Sequence, residues 1–220
     1  MADIHIYSAE GCPFAQRTRM ALIEKAVEFE LTEIDLGNKP SWFSELSPYG
    51  KVPLLTHNDG KIYESFVINQ YLDEVFPDPA MMPTDPMVRA QARIWMDYCE
   101  TRYIPSIFGI RATKDDTEKL NDALAKIEEV MLYIETEGLR KLSDGPFWLG
   151  EKISLLDLHY SPFFERFPVY EEMFGARIPK ECNRLLQWLD AIKCRESYKL
   201  TARTPEIHIE RYKKRFKEAA

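Results

Sequence analysis

The chain has 220 residues, of which 45% are apolar and 30% charged, with 29 basic and 36 acidic side chains for a net charge of −7. That composition suits a folded water-soluble chain with room for one large or two modest domains, and the acidity counts against a nucleic-acid partner. No stretch reaches the roughly 18 apolar residues of a membrane helix. The start MADIHIYSAEG lacks the basic and apolar layout of a secretory leader. Cys12, Cys99, Cys182 and Cys194 are widely spaced without a CxxC, which fits a reduced compartment, so a cytoplasmic location is expected, with no membrane partner. His5, His57, His159 and His208 are scattered, and no metal is expected.

In chain order, residues 4–7 alternate and predict a first strand. After a turn, a helical pattern runs from Pro13 to about Lys25, with proline at the first helical position, where its missing N–H costs nothing. Residues 29–34 alternate again, predicting a parallel βαβ unit. A polar loop follows, containing Lys39-Pro40 and Ser47-Pro48. Residues 52–56 and 61–63 flank Asn58-Asp59-Gly60, a strong hairpin signal, and a helix is expected over 65–76. Four prolines between 77 and 86 mark a linker. Beyond it only helices are expected, near 87–112, 116–142, 154–168 and 180–194, with a shorter turn over 195–201. The fold class is therefore an α/β N-terminal domain of thioredoxin-like layout, residues 1–79, followed by an all-α helical domain, residues 80–220. The basic run 211–217 reads as a solvated helix end.

Cys12 sits at the strand-turn-helix junction Gly11-Cys12-Pro13-Phe14. First-turn N–H groups and the helix dipole there favour a thiolate, whereas a free thiol of pKa ~8.5 is only about 3% ionised at pH 7. Arg17 and Arg19 add positive charge nearby. Cys99, Cys182 and Cys194 read instead as packing residues inside helices. Ala15 stands where a CxxC partner would be, so exchange at Cys12 needs an external thiol. That points to glutathione. Val52-Pro53 is a candidate cis peptide, although the two residues alone favour an ordinary trans proline at a strand start. Ser65 reads as an N-cap, either serving its own helix or offering a carboxylate site. Glu64 beside it is suited to a ligand ammonium.

Together these residues resemble the glutathione transferase superfamily, closest to its omega and lambda classes. Cys12-Pro13-Phe14-Ala15-Gln16-Arg17 is similar to the lambda signature, and its first four residues to omega. The run from Leu36 to Phe43 resembles the omega loop before the third strand. Lys51-Val52-Pro53 and Tyr63-Glu64-Ser65 resemble the cis-proline and γ-glutamyl motifs. Ser154-Leu155-Leu156-Asp157 resembles the capping box of the helical domain. The resemblance implies that Cys12 is catalytic and forms a mixed disulfide with glutathione as co-substrate. It implies that Phe14 lines the site, Lys39 meets the glycyl carboxylate and Leu36 packs nearby. The Val52 backbone would pair with the cysteinyl part of glutathione, with Pro53 cis, and Glu64 and Ser65 would hold the γ-glutamyl end. Phe163 and Arg166 align with the acceptor pocket, the phenylalanine replacing an omega tryptophan.

The implied activity is thiol–disulfide exchange on a small hydrophobic or glutathionylated acceptor, with deglutathionylation and dehydroascorbate reduction as variants. Two alternatives stay open. One is a conjugating (detoxifying) transferase using the Tyr7 or Ser8 hydroxyl. The other is a non-catalytic regulatory or binding protein of the same fold. The resemblance leaves both a homodimer and a monomer open.

Overall fold

The computed structural model describes residues 3–218, with side chains described as far as Arg215. The chain divides into two compact units: the first comprises residues up to Met82 plus Arg195–Ala202, the second Pro83–Cys194 and the chain from Arg203 onward.

The first unit runs β1 (Ile4–Ser8), α1 (Pro13–Glu24), β2 (Glu30–Glu33), α2 (Ser41–Leu46), β3 (Leu54–His57), β4 (Gly60–Tyr63) and α3 (Ser65–Val75), and takes in the later helix α11 (Glu196–Thr201). The sheet order is β2-β1-β3-β4. β1 and β2 are parallel, with Ile6 opposite Leu31; β1 and β3 are antiparallel, with Ile6 opposite Leu55; β3 and β4 close the hairpin. Strand periodicity explains the buried face: Ile4 and Ile6 project to one side of β1 and are fully packed. This is the thioredoxin-like mixed sheet that the strand pattern predicts. One segment differs. The polar loop before β3 contains α2, anchored by the buried Phe43. Proline signals at 40 and 48 mask a helix that short.

Two charged groups lock the first unit. Lys25, at the C-terminal end of α1, is buried and directs its ammonium to Asp73, to the Phe76 carbonyl at 2.7 Å and to the Pro79 carbonyl at 2.7 Å. Asp73 in turn accepts from the backbone N–H groups of Met81 and Met82, fixing the chain after α3. Glu24 accepts from Arg195 and from the Ser197 hydroxyl, at 2.5 Å, which ties α11 to α1.

The second unit is all helical: α4 (Pro86–Tyr98), α5 (Ile104–Ala112), α6 (Thr117–Tyr133), α7 (Arg140–Leu142), α8 (Leu155–Glu165), α9 (Phe167–Phe174), α10 (Asn183–Lys193) and α12 (Pro205–Glu218). π-helical turns at Cys99–Tyr103 and Ile134–Leu139 join α4 to α5 and α6 to α7. The expected helix ending at 168 is instead two helices. Pro168 lies in the first turn of α9, where proline is tolerated, and does not stop the chain. On α12, Lys213, Lys214 and Arg215 are exposed, as expected of a solvated end; the side chains of Phe216 and Lys217 lie outside the described residues.

Buried carboxylates organise this unit. Asp157, fully buried, accepts from the Ser154 N–H (2.8 Å) and hydroxyl (2.6 Å), the Trp148 N–H (3.0 Å) and the Trp188 indole N–H (2.8 Å). The capping box is therefore present, and its acid also holds two tryptophans. Burial outweighs these four hydrogen bonds and shifts the Asp157 carboxyl above the ordinary aspartate range. Glu135, also fully buried, accepts from the N–H groups of Arg184 and Leu185 in the first turn of α10 and from Arg140.

Asp157→Ala leaves four buried donors without an acceptor and is expected to cost about 3 kcal/mol or more. Asp157→Asn keeps one acceptor oxygen and should cost distinctly less; urea unfolding followed by tryptophan fluorescence measures both. Lys25→Met removes the cation paired with Asp73 and the donor to the Phe76 and Pro79 carbonyls. It is expected to cost about 3 kcal/mol, read as a lowered unfolding midpoint.

Candidate functional site

Cys12 is the N-cap of α1, in an extended conformation, and Pro13 takes the first helical position. The turn before it closes through the Cys12 N–H on the Ala9 carbonyl at 3.0 Å. The thiol therefore stands over the N-terminal turn of a twelve-residue helix, where backbone N–H groups and the dipole favour negative charge. It is partly buried, against a cluster that includes Ala9, Ala15, Phe43 and Val52. Its Sγ lies 3.9 Å from the Val52 carbonyl oxygen.

The Val52–Pro53 peptide is cis. The two residues taken alone favour trans; the motif resemblance carries the correct expectation. Val52 and Pro53 form one wall of a small cleft open to solvent. Phe14 faces them from α1, and Glu64 and Ser65 from the start of α3. Ser47, Tyr49, Lys51 and Tyr63 complete the lining. Lys51 and Tyr63 lie within the sequence motifs, but nothing local marks Tyr49, which is 59% exposed and packs edge-on against Tyr63.

Ser65 is not the N-cap. Glu64 holds that position with φ +66°, and Ser65 is the first residue of α3. The Ser65 hydroxyl, buried at the mouth of the helix, accepts from Arg17 Nε at 2.7 Å. Arg17, itself only 2% exposed, also lies 5.1 Å from the Phe14 ring centroid. Its direction, unreadable from sequence, is thus toward the cleft wall. Arg19 turns the other way, to Glu33 at 3.2 Å. Glu64 occupies a backbone region that disfavours side chains, a feature that concentrates at functional sites.

Leu36 and Lys39 lie on the exposed segment before α2 and are not part of the cleft wall. Lys39 donates to the Gly50 carbonyl at 2.9 Å, in the loop that leads to Lys51. Phe163 and Arg166 belong to the second unit and are almost wholly buried, at 3% and 5% exposure. Arg166 donates to the Pro162 carbonyl at 2.5 Å.

Of the other cysteines, Cys99 and Cys182 are buried, as expected of packing residues. Burial, then the charges of Glu135 and Glu181, push the Cys182 thiol up to about 12. Cys194 is a correction: it caps the end of α10 and is exposed. Among the described residues no group of His, Cys, Asp or Glu is arranged to hold a metal ion, and no helix is long and apolar enough to cross a membrane.

The Glu64 carboxylate, the Ser65 hydroxyl and Lys51 line one cleft, and the Cys12 thiol, outside that lining, lies 3.9 Å from the carbonyl of Val52 in its wall; the set suits a small zwitterionic ligand. Residues 6–80 match the model of the glutathione S-transferase N-terminal domain. Glutathione S-transferase L3 of Arabidopsis thaliana is 34% identical over 96% of this chain and 87% of its own length. The omega-2 transferase of Rattus norvegicus is 34% identical over 76% of this chain and 66% of its own length. The tau-class transferase of mango, Mangifera indica, superposes with a TM-score of 0.90 at 31% identity, covering 96% of this chain and 97% of that one. A rice transferase solved in complex with glutathione gives a TM-score of 0.87 at 29% identity over 100% of this chain and 98% of that one. The chain belongs to the glutathione S-transferase family.

Proposed function

We propose that this chain binds glutathione in the cleft of its first unit and catalyses thiol–disulfide exchange through Cys12. The observation that carries this reading is the position of Cys12 at the N-terminus of α1, with its Sγ 3.9 Å from the Val52 carbonyl that walls the cleft. In this reading the Val52 backbone pairs with the cysteinyl part of glutathione. Ser65, polarised by Arg17, receives the γ-glutamyl carboxylate, and Glu64 receives the ammonium. Lys39 meets the glycyl carboxylate, with Leu36 packing beside it.

The chemistry runs in two steps. The Cys12 thiolate attacks the glutathionyl sulfur of a mixed disulfide; the S–S bond breaks, and the acceptor leaves as a thiolate that takes a proton from water. A second glutathione thiolate then attacks the glutathionyl sulfur on Cys12, releasing glutathione disulfide and the Cys12 thiolate. A stabilised thiolate serves both steps, as nucleophile and as leaving group. Phe163 and Arg166 are proposed to shape acceptor preference.

The likeness to tau-class proteins favours a second reading, conjugation of glutathione to electrophiles. Its hydroxyl candidates differ in standing. Ser8 is fully buried, and its hydroxyl has no hydrogen-bond partner among the described residues, which makes it the weaker candidate. Tyr7 packs against the cluster that holds Cys12 and is the stronger of the two.

Wild type and Cys12→Ser are compared for reduction of a small glutathione mixed disulfide and for conjugation of a chlorodinitrobenzene-type electrophile. Thiol exchange is expected in the wild type and at background in the variant. Exchange that survives in Cys12→Ser overturns the proposal; conjugation without exchange in the wild type favours the second reading. Ser65→Ala is expected to raise the KM for glutathione about tenfold, the scale of one hydrogen bond to a charged group. An unchanged KM removes Ser65 from the site.

A further inference from the structure

On the reading that glutathione occupies the cleft, we infer that Ser47 is a positioning residue for it. The Ser47 hydroxyl fixes the peptide plane whose N–H, that of Val52, meets the cysteinyl part of the ligand.

Ser47 closes α2, where its own N–H donates to the Phe43 carbonyl at 2.8 Å. It is 2% exposed. Its hydroxyl accepts from the Lys51 N–H at 3.1 Å and donates to the Lys51 carbonyl at 3.0 Å. One side chain thus grips both polar backbone groups of Lys51, and with them the direction in which the chain leaves that residue. The Ser47 carbonyl accepts from the Gly50 N–H at 3.0 Å, which closes the turn between the two. Ser47 itself lines the cleft, but its only hydroxyl proton is committed to Lys51, so it acts through the backbone and not as a donor to the ligand.

The consequence falls on the next residue. The Lys51 carbonyl and the Val52 N–H belong to one peptide unit, which is trans. Such a unit is planar, with its C=O and N–H pointing in opposite directions. A carbonyl held on Ser47 therefore aims the Val52 N–H away from Ser47. That N–H has no hydrogen-bond partner among the described residues, although Val52 is only 8% exposed. The β3 ladder does not take it up, because the strand begins at Leu54. A backbone donor so placed is costly unless an acceptor arrives. Val52 stands in the cleft wall, and its own carbonyl lies 3.9 Å from Cys12 Sγ. The unmet donor and that carbonyl suit the C=O and N–H of one residue of an extended peptide, which the cysteinyl residue of glutathione supplies beside the reacting thiol.

The test compares wild type, Ser47→Ala and Ser47→Thr for the KM and kcat of glutathione-dependent reduction of a small mixed disulfide. The pH profile of Cys12 alkylation by iodoacetamide, measured without glutathione, and the unfolding midpoint are read beside it. Ser47→Ala is expected to raise the KM for glutathione about tenfold, the scale of losing hydrogen bonds that hold a buried group, with kcat and the alkylation profile close to wild type. Ser47→Thr, which keeps the hydroxyl, is expected to restore the KM. If Ser47→Ala does not stay folded, Ser47→Cys, similar in volume and a much weaker hydrogen-bonding group, takes its place with the same expectation. An unchanged KM in the variant without the hydroxyl, a threonine variant as impaired as that one, or a shifted alkylation profile overturns the assignment while the wild type still uses glutathione. A wild type that binds no glutathione instead removes the reading of the cleft on which the assignment rests.

Discussion

Arg17 is a charged side chain almost wholly out of water, and the cleft depends on how that burial is compensated. A buried guanidinium is tolerated only with well-placed acceptors, and one of these is the Ser65 hydroxyl at 2.7 Å. The Asn69 side-chain amide donates to the Arg17 carbonyl at 3.3 Å, tying α3 to α1 a second time. These bonds bring two helix N-termini to one side of the sheet. The helix carrying Cys12 and the helix carrying Glu64 and Ser65 thereby face a common space, with the Val52–Pro53 turn as its third wall. At the far ends of the same helices, Lys25 and Asp73 perform the corresponding tie and fix where α3 stops.

The second unit is also organised by buried charged groups, here carboxylates. Asp157 and Glu135 are buried anions whose partners are mainly backbone N–H groups and an indole. In both units a small number of buried charged groups, each with several hydrogen bonds, set where helices begin. The apolar core then fills the space around them, and removing one such group costs more than trimming a methyl group from the core.

Features whose cause is local are legible in the sequence. The Cys12-Pro13 turn, the Asn58-Asp59-Gly60 hairpin and the Ser154–Asp157 capping box each use residues within a few positions of one another. Features whose cause is distant are not. The Ser65 hydroxyl reads as a cap because its partner, Arg17, is 48 residues away. Lys25 has the look of a surface residue because its three acceptors lie about 50 residues on. Pro168 looks like a helix stop, yet it begins one. Cys194 sits in an apolar-periodic segment but falls just past its last turn, so it faces solvent. Tyr49 reaches the cleft through a loop whose path depends on α2, and so has no local signature.

The central claim is that Cys12 is the thiol that carries glutathione. It is tested most directly by incubating the full chain with glutathione disulfide and measuring intact and peptide mass without reductant. The account predicts one rapidly formed glutathionyl adduct on the peptide containing Cys12, removed by added glutathione. Slower modification of the exposed Cys194 is compatible with that result. An adduct confined to Cys194, or no adduct on Cys12 while the chain still binds glutathione, contradicts it.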